Sequence, residues 1–213
     1  MLPSLGINTW KEETLSKLAA DILQITPRPL ILIDGNGGSG KTTLATQLGD
    51  ILKANLVATD DVSWCADPIH WDGKILDCII KPWLEGSKAV YKPTGWVKEK
   101  RPGFIEVDAK KALIIEGMGA CRRTLREIAT YSIWVDTEPD IARMRVIQRD
   151  LVAGENGGTL ESVTEFTNWW DALFHPFLVE EEPWKYADII INGFQSNQSA
   201  NKLLIYVNDK SIK

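Results

Sequence analysis

The residues best suited to chemistry lie in one run, Gly35-Asn36-Gly37-Gly38-Ser39-Gly40-Lys41-Thr42. Its spacing, G-x-x-x-x-G-K-[ST], is that of a loop that cradles phosphates. Glycines leave no Cβ in the way and permit positive φ, so successive backbone N–H groups can converge on phosphate oxygens. Lys41 can reach the β- and γ-phosphates of a nucleotide and the Thr42 hydroxyl can ligate Mg²⁺, with Thr43 on the same first helical turn. A glycine-rich turn without a ligand is the plain alternative. Against it, an aliphatic run over 30–33 precedes the loop and a helical pattern over 41–52 follows it. A helix starting there adds its unsatisfied N–H groups and the positive end of its dipole.

Three further groups of side chains can serve a bound nucleotide. Ala112-Leu113-Ile114-Ile115-Glu116 is an apolar strand closing on a carboxylate, which would place Glu116 beside the phosphate loop to hold a water of the Mg²⁺ shell. An ordinary exposed glutamate at a strand end is the other reading. Asp60 and Asp61 close the strand pattern over 56–58. Asp60 near the γ-phosphate could accept the proton of an incoming hydroxyl and help orient the metal, whereas a turn or helix-cap role suits Asp61 better. Arg143, Arg145 and Arg149 share one predicted helix, and Arg145 and Arg149, four apart, lie on one face. Turned toward the phosphates, they would neutralise charge on the transferred group; turned away, they form a solvated face.

These residues need a scaffold that brings strand ends together. Thr9, with Glu12 at the capping-box position, predicts a helix over 10–24 whose stripe is Leu15, Leu18, Ala19 and Ile22. Strand patterns over 30–33, 56–58, 112–115, 131–135 and 187–191 alternate with helical ones, and 203–207 is apolar but of uncertain type. Between them, 74–85 reads as helix, 89–91 as strand, 93–103 as loop and 122–129 as helical. A helix from Pro139 runs to about 151, a polar loop with glycines over 154–158 can act as a hinge, and Pro176 must kink or break the helix over 161–181. Buried strands alternating with helices predict an α/β fold of three layers, a parallel five-stranded sheet with helices on both faces and a small lid. One domain over 1–213 is expected, with the lid over about 143–160 and an acceptor-side insertion over about 62–105.

The net charge of -5 supplies no basic face for nucleic acid, and Arg122, Arg123 and Arg126 make the only tight arginine cluster. Three cysteines without C-x-x-C spacing read as reduced thiols, and two separated histidines do not make a zinc site. No run approaches the roughly 20 apolar residues of a membrane span, and the N-terminus lacks signal-peptide features, so a cytoplasmic location is expected. Nine tryptophans are either core anchors or the walls of an acceptor pocket.

The order Ile31–Asp34, the phosphate loop through Ala45, Thr59-Asp60-Asp61, Leu113–Gly117, Arg145–Asp150 and Tyr186–Ile190 resembles the uridine kinase and phosphoribulokinase-like branch of P-loop kinases, closest to uridine-kinase-like bacterial proteins. The resemblance spans about three quarters of the chain. It implies five parallel strands, a lid helix, ATP with Mg²⁺, and transfer of the γ-phosphate to a hydroxyl of a small acceptor (nucleoside, sugar or related metabolite) activated by Asp60. It also implies an acceptor hairpin at Tyr91-Lys92-Pro93-Thr94-Gly95-Trp96, with Tyr91 and Trp96 as pocket walls, and an acceptor-binding aspartate at Asp72. The chain departs from uridine kinases in having no arginine over 151–157, and Thr94-Gly95 where nucleoside kinases carry Tyr-Asp, so the acceptor's identity stays open. A nucleoside monophosphate kinase would want arginines over 60–90, which has none. A guanine-reading switch would need N-K-x-D, and the nearest string, Asn168-Trp169-Trp170-Asp171, lacks the lysine. Oligomeric state is not legible.

Overall fold

The computed structural model describes residues 5–193 and 202–208. The expected domain limits, 1 and 213, lie outside the described residues. The chain opens with β1 (Lys11–Thr14) and α1 (Leu15–Ile25), then β2 (Leu30–Gly35), α2 (Lys41–Leu52) and β3 (Asn55–Ala58). After α3 (Thr59–Ser63), a continuous helical stretch joins α4 (Asp72–Ile75), a π-helical turn (Leu76–Ile80) and α5 (Lys81–Leu84). Then come β4 (Ala89–Tyr91), α6 (Thr94–Lys98) and β5 (Ile105–Val107). The chain returns through β6 (Leu113–Glu116), α7 (Arg123–Arg126) and β7 (Tyr131–Asp136) to two long helices, α8 (Pro139–Ala153) and α9 (Leu160–Glu181). It finishes with α10 (Pro183–Tyr186), β8 (Ile189–Asn192) and β9 (Lys202–Val207).

The central sheet has seven strands, not five, in the order β1-β9-β8-β7-β2-β6-β3. The parallel pairings join β8, β7, β2, β6 and β3, while β9 and β1 extend the edge antiparallel. The sheet is larger than expected because residues 11–14, read as helix, pair with β9 instead. The helix begins only after Thr14, whose side chain caps it by accepting from the Lys17 N–H, so Thr9 is not its cap. Residues 93–103 are likewise not all loop. Pro93 sits at the N-cap of α6, where its missing N–H costs nothing. Residues 160–181 form one helix through Pro176; the carbonyl that the proline leaves without its helical donor belongs to exposed Ala172, where water can satisfy it.

Alternation along β2 shows why the layers form. Leu30 and Leu32 pack with Ile75, Ile79, Trp83 and Leu125 on one face. Ile31 and Ile33 pack with Leu18, Ile22, Leu44 and Leu48 of α1 and α2 on the other. A strand apolar on both faces is stable only when both are covered, which is the parallel-sheet arrangement. Trp71, Trp83, Trp96 and Trp134 are buried, whereas Trp64 and Trp169 are exposed, so the tryptophans do not share one role. No helix among the described residues is long and apolar enough to cross a membrane.

Candidate active site

Parallel strands β2, β6 and β3 all end on one edge, and that shared edge assembles the site. The phosphate loop leaves β2 and delivers Lys41 at the start of α2, whose N-cap, Gly40 at φ 102°, offers no side chain to the helix's first N–H groups. Helix termini of this kind are suited to binding anions. Gly38, at φ 75°, lies so close to α8 that a Cβ there would sit 2.1 Å from the Ala142 carbonyl oxygen. Thr137 Oγ1 donates to the Ser39 carbonyl at 2.9 Å, which ties the loop to the end of β7.

Lys41 is 8% exposed, and its Nζ donates to the Asn36 carbonyl at 2.9 Å. Burial lowers its pKa, opposed by the carboxylates of Glu116, Asp34 and Asp60. Glu116, at the end of β6, is also buried, and Thr42 Oγ1 donates to its Oε1 at 3.1 Å. Burial raises the Glu116 pKa; Lys41 and the Thr42 hydroxyl oppose this, and the Asp60 charge adds to it. Two hard oxygens, one anionic, beside a helix N-terminus fit the donor set that Mg²⁺ takes alongside phosphate oxygens. Asp60, exposed on the first turn of α3, is close enough for its charge to act on both Lys41 and Glu116.

From α8, Arg145 Nη1 donates to the Gly38 and Gly193 carbonyls at 3.4 and 3.3 Å. Arg149 lies close enough to lower the Lys41 pKa further, and its Nε donates to Asp150 at 2.8 Å. Asp150 is buried and also accepts from Asn156 Nδ2 at 2.9 Å, so the loop after α8 is fastened to the residue that orients Arg149. Arg143 points elsewhere, to Asp171 and Asn168 of α9. Asn168 and Asp171, considered above as a nucleotide-reading turn, thus lie in α9 and hold α8 against it.

The expected acceptor residues form two carboxylate–guanidinium clusters. Asp61 accepts from Trp96 Nε1 at 3.1 Å and Arg101 Nη1 at 2.9 Å, with the guanidinium 4.1 Å over the Trp96 ring. Asp72 accepts from Arg122 Nη1 and Thr124 Oγ1, each at 2.8 Å. Tyr91 is half-buried, and burial raises its pKa. Neither cluster is hydrogen-bonded directly to the phosphate loop among the described residues. Two functional candidates escaped the sequence reading. Asp34 is a fully buried carboxylate in an otherwise aliphatic strand, and that contrast was its signal. Arg122 was visible only as part of a basic cluster.

The strand order, the glycine loop and the carboxylate closing β6 define a P-loop kinase fold. A solved structure described as a possible uridine kinase from Bacillus stearothermophilus shares that fold at a TM-score of 0.52 and 20% identity, over 83% of this chain and 96% of that one. The uridine kinase of Ligilactobacillus salivarius (strain UCC118) is 30% identical over 201 residues, 84% of this chain and 92% of that protein. The uridine kinase of Brevibacillus brevis is 30% identical over 197 residues, covering 82% and 89%. The chain belongs to the uridine kinase family. No protein-family model matches it.

Proposed function

We propose that this protein transfers the γ-phosphate of ATP to a hydroxyl of a small acceptor in the cytoplasm. The observation that carries the reading is the Thr42–Glu116 hydrogen bond beside buried Lys41, with the Asp60 charge acting on both Lys41 and Glu116. The loop over 35–43 would hold the phosphates through backbone N–H groups, and Lys41 would bind the β- and γ-oxygens. Mg²⁺ held by Thr42 and Glu116, with Asp60 helping to orient it, would neutralise phosphate charge. Asp60 would accept the proton of the acceptor hydroxyl, and Arg145 and Arg149 would balance charge on the transferred group.

Single-domain organisation fits this reading, with 143–160 as lid and 62–105 as the acceptor-side insertion. Arg101 and Arg122 are each paired with a carboxylate, which suits an uncharged hydroxyl better than a phosphorylated acceptor. Uridine, which the relatives' names specify, is therefore the first acceptor to test, with Asp61, Asp72, Tyr91 and Trp96 shaping its pocket. The experiment measures ATP consumption and product phosphorylation across nucleosides, sugars and related hydroxylated metabolites. Asp60→Asn should lose about 10²-fold or more in kcat on the acceptor found, while still binding Mg·ATP. Full turnover in that variant overturns the base assignment, and no phosphorylated product with any acceptor overturns the kinase reading.

A further inference from the structure

The Asp34 carboxylate is completely buried, and among the described residues its hydrogen bonds go to backbone N–H groups. Oδ1 accepts from Gly35 at 2.7 Å and Gly119 at 3.0 Å, and Oδ2 from Cys121 at 2.9 Å. Gly35 is the first residue of the phosphate loop, while Gly119 and Cys121 belong to the turn that leaves Glu116. One side chain therefore bridges the two segments that must hold a nucleotide and its metal in register.

Gly119 is gripped from its other side as well. Its carbonyl accepts from Arg122 Nε at 3.0 Å. The Arg122 guanidinium is 4% exposed, lies 4.1 Å over the Trp71 ring and 4.8 Å over the Phe177 ring, and donates through Nη1 to Asp72. A Cβ on Gly119, whose φ is +79°, would sit 2.8 Å from Arg122 Nη2. A continuous chain results: Gly35, Asp34, Gly119, Arg122, Asp72.

We propose that Asp34 and Arg122 are positioning residues that clamp Gly119 between them, and thereby hold Glu116 in register with the phosphate loop and Asp72 in register with both. Neither is assigned a contact with nucleotide or metal; each acts through the turn over 117–121. The inference rests on the nucleotide reading above and adds to it a reason why the metal carboxylate is correctly placed. Removing a group that orients a metal ligand typically costs about 10- to 100-fold in metal affinity.

The test uses the full-length protein and compares the affinity for ATP with Mg²⁺ against that for ATP in EDTA, by calorimetry. Asp34→Asn keeps the shape and can still accept from Gly35 and Gly119, but it turns an NH₂ toward the Cys121 N–H. Arg122→Lys keeps the charge but replaces the two nitrogens, Nε and Nη1, that reach the Gly119 carbonyl and Asp72 by a single one without the planar fork. The expected result is a fall of about 10-fold in the Mg²⁺ enhancement of ATP binding, with metal-free ATP affinity within about twofold of wild type. A purely structural role would lower the unfolding midpoint and leave that enhancement unchanged. Should Asp34→Asn fail to fold, Arg122→Lys decides alone. A folded variant with wild-type enhancement overturns the clamp, and a wild-type chain that binds no ATP at all overturns the nucleotide reading and the clamp with it.

Discussion

Substituting alanine at Gly38 and at Gly40 separates two contributions to the phosphate loop. Both glycines have positive φ, 75° and 102°, so either alanine incurs left-handed strain of about 1–2 kcal/mol. Their surroundings differ. At Gly40 the nearest atom to a new Cβ is the Gly193 carbonyl oxygen at 3.9 Å, an ordinary contact. At Gly38 the new Cβ would lie 2.1 Å from the Ala142 oxygen and 3.1 Å from Val146 Cγ2, both on α8. Ala142 O is backbone and cannot rotate away, so reaching even 3.0 Å requires loop or helix to shift by about 0.9 Å. Forced shifts of that kind cost about 1–3 kcal/mol, which brings Gly38→Ala to about 2–5 kcal/mol against about 1–2 for Gly40→Ala. Urea unfolding of each variant, followed by tryptophan fluorescence, reads the difference directly. If the two variants agree within about 0.5 kcal/mol, α8 does not rest on the loop in the folded protein and Gly38 is not packed against the Ala142 carbonyl.

Two other outcomes test the electrostatics and the attachment of the insertion. Burial holds the Glu116 pKa above the ordinary carboxylate value, so in the metal-free protein its contribution to stability is fully present below the ordinary value and is lost as pH rises through the raised one. In the proposed metal role Glu116 acts in its ionised form, so the Mg²⁺ enhancement of ATP binding should weaken as pH is lowered through that raised pKa; Glu116→Gln should abolish both the enhancement and this pH dependence, as titration calorimetry at several pH values would record. Arg28 donates through Nη1 to the Trp83 and Ala109 carbonyls at 2.8 and 2.6 Å and lies 4.4 Å over the Trp83 ring, so Arg28→Met should destabilise the protein by about 2–3 kcal/mol in urea unfolding; a loss below about 0.5 kcal/mol would show that the arginine does not secure residues 83–109 to the core.

How much of this was readable before any coordinates depended on whether the signal was local. The parallel strands announced themselves because a strand covered on both faces must be aliphatic at every position, as Leu30–Ile33 and Leu113–Ile115 are. The glycine-rich turn between β2 and α2 was equally plain, since glycine spacing and the following lysine are short-range properties. Lys11–Thr14 gave no comparable sign. It is a largely exposed edge strand without apolar alternation, and Thr9 with Glu12 imitated a helix cap. The Leu203–Val207 run was visibly apolar, but its direction is set by pairing with β8 and with β1, and β1 lies far from it in the chain. The carboxylates of the candidate site showed the same division. Glu116 and Asp60 stand at strand ends and could be picked out by position. The partners of Asp61 and Asp72 are arginines 40 and 50 residues away, and no sequence pattern links them.

The rung between β1 and β9 has a consequence for how the protein is made. It pairs residue 11 with residue 205, so this edge cannot close while the chain is still short. The phosphate loop, Glu116 and both long helices are all translated before β9 emerges. On a ribosome the parallel core can begin to consolidate early, while β1 waits without its strand partner until residues 202–207 have left the tunnel. Contacts this distant in sequence are the slow ones to form, and truncation before β9 would leave β1 permanently unpaired.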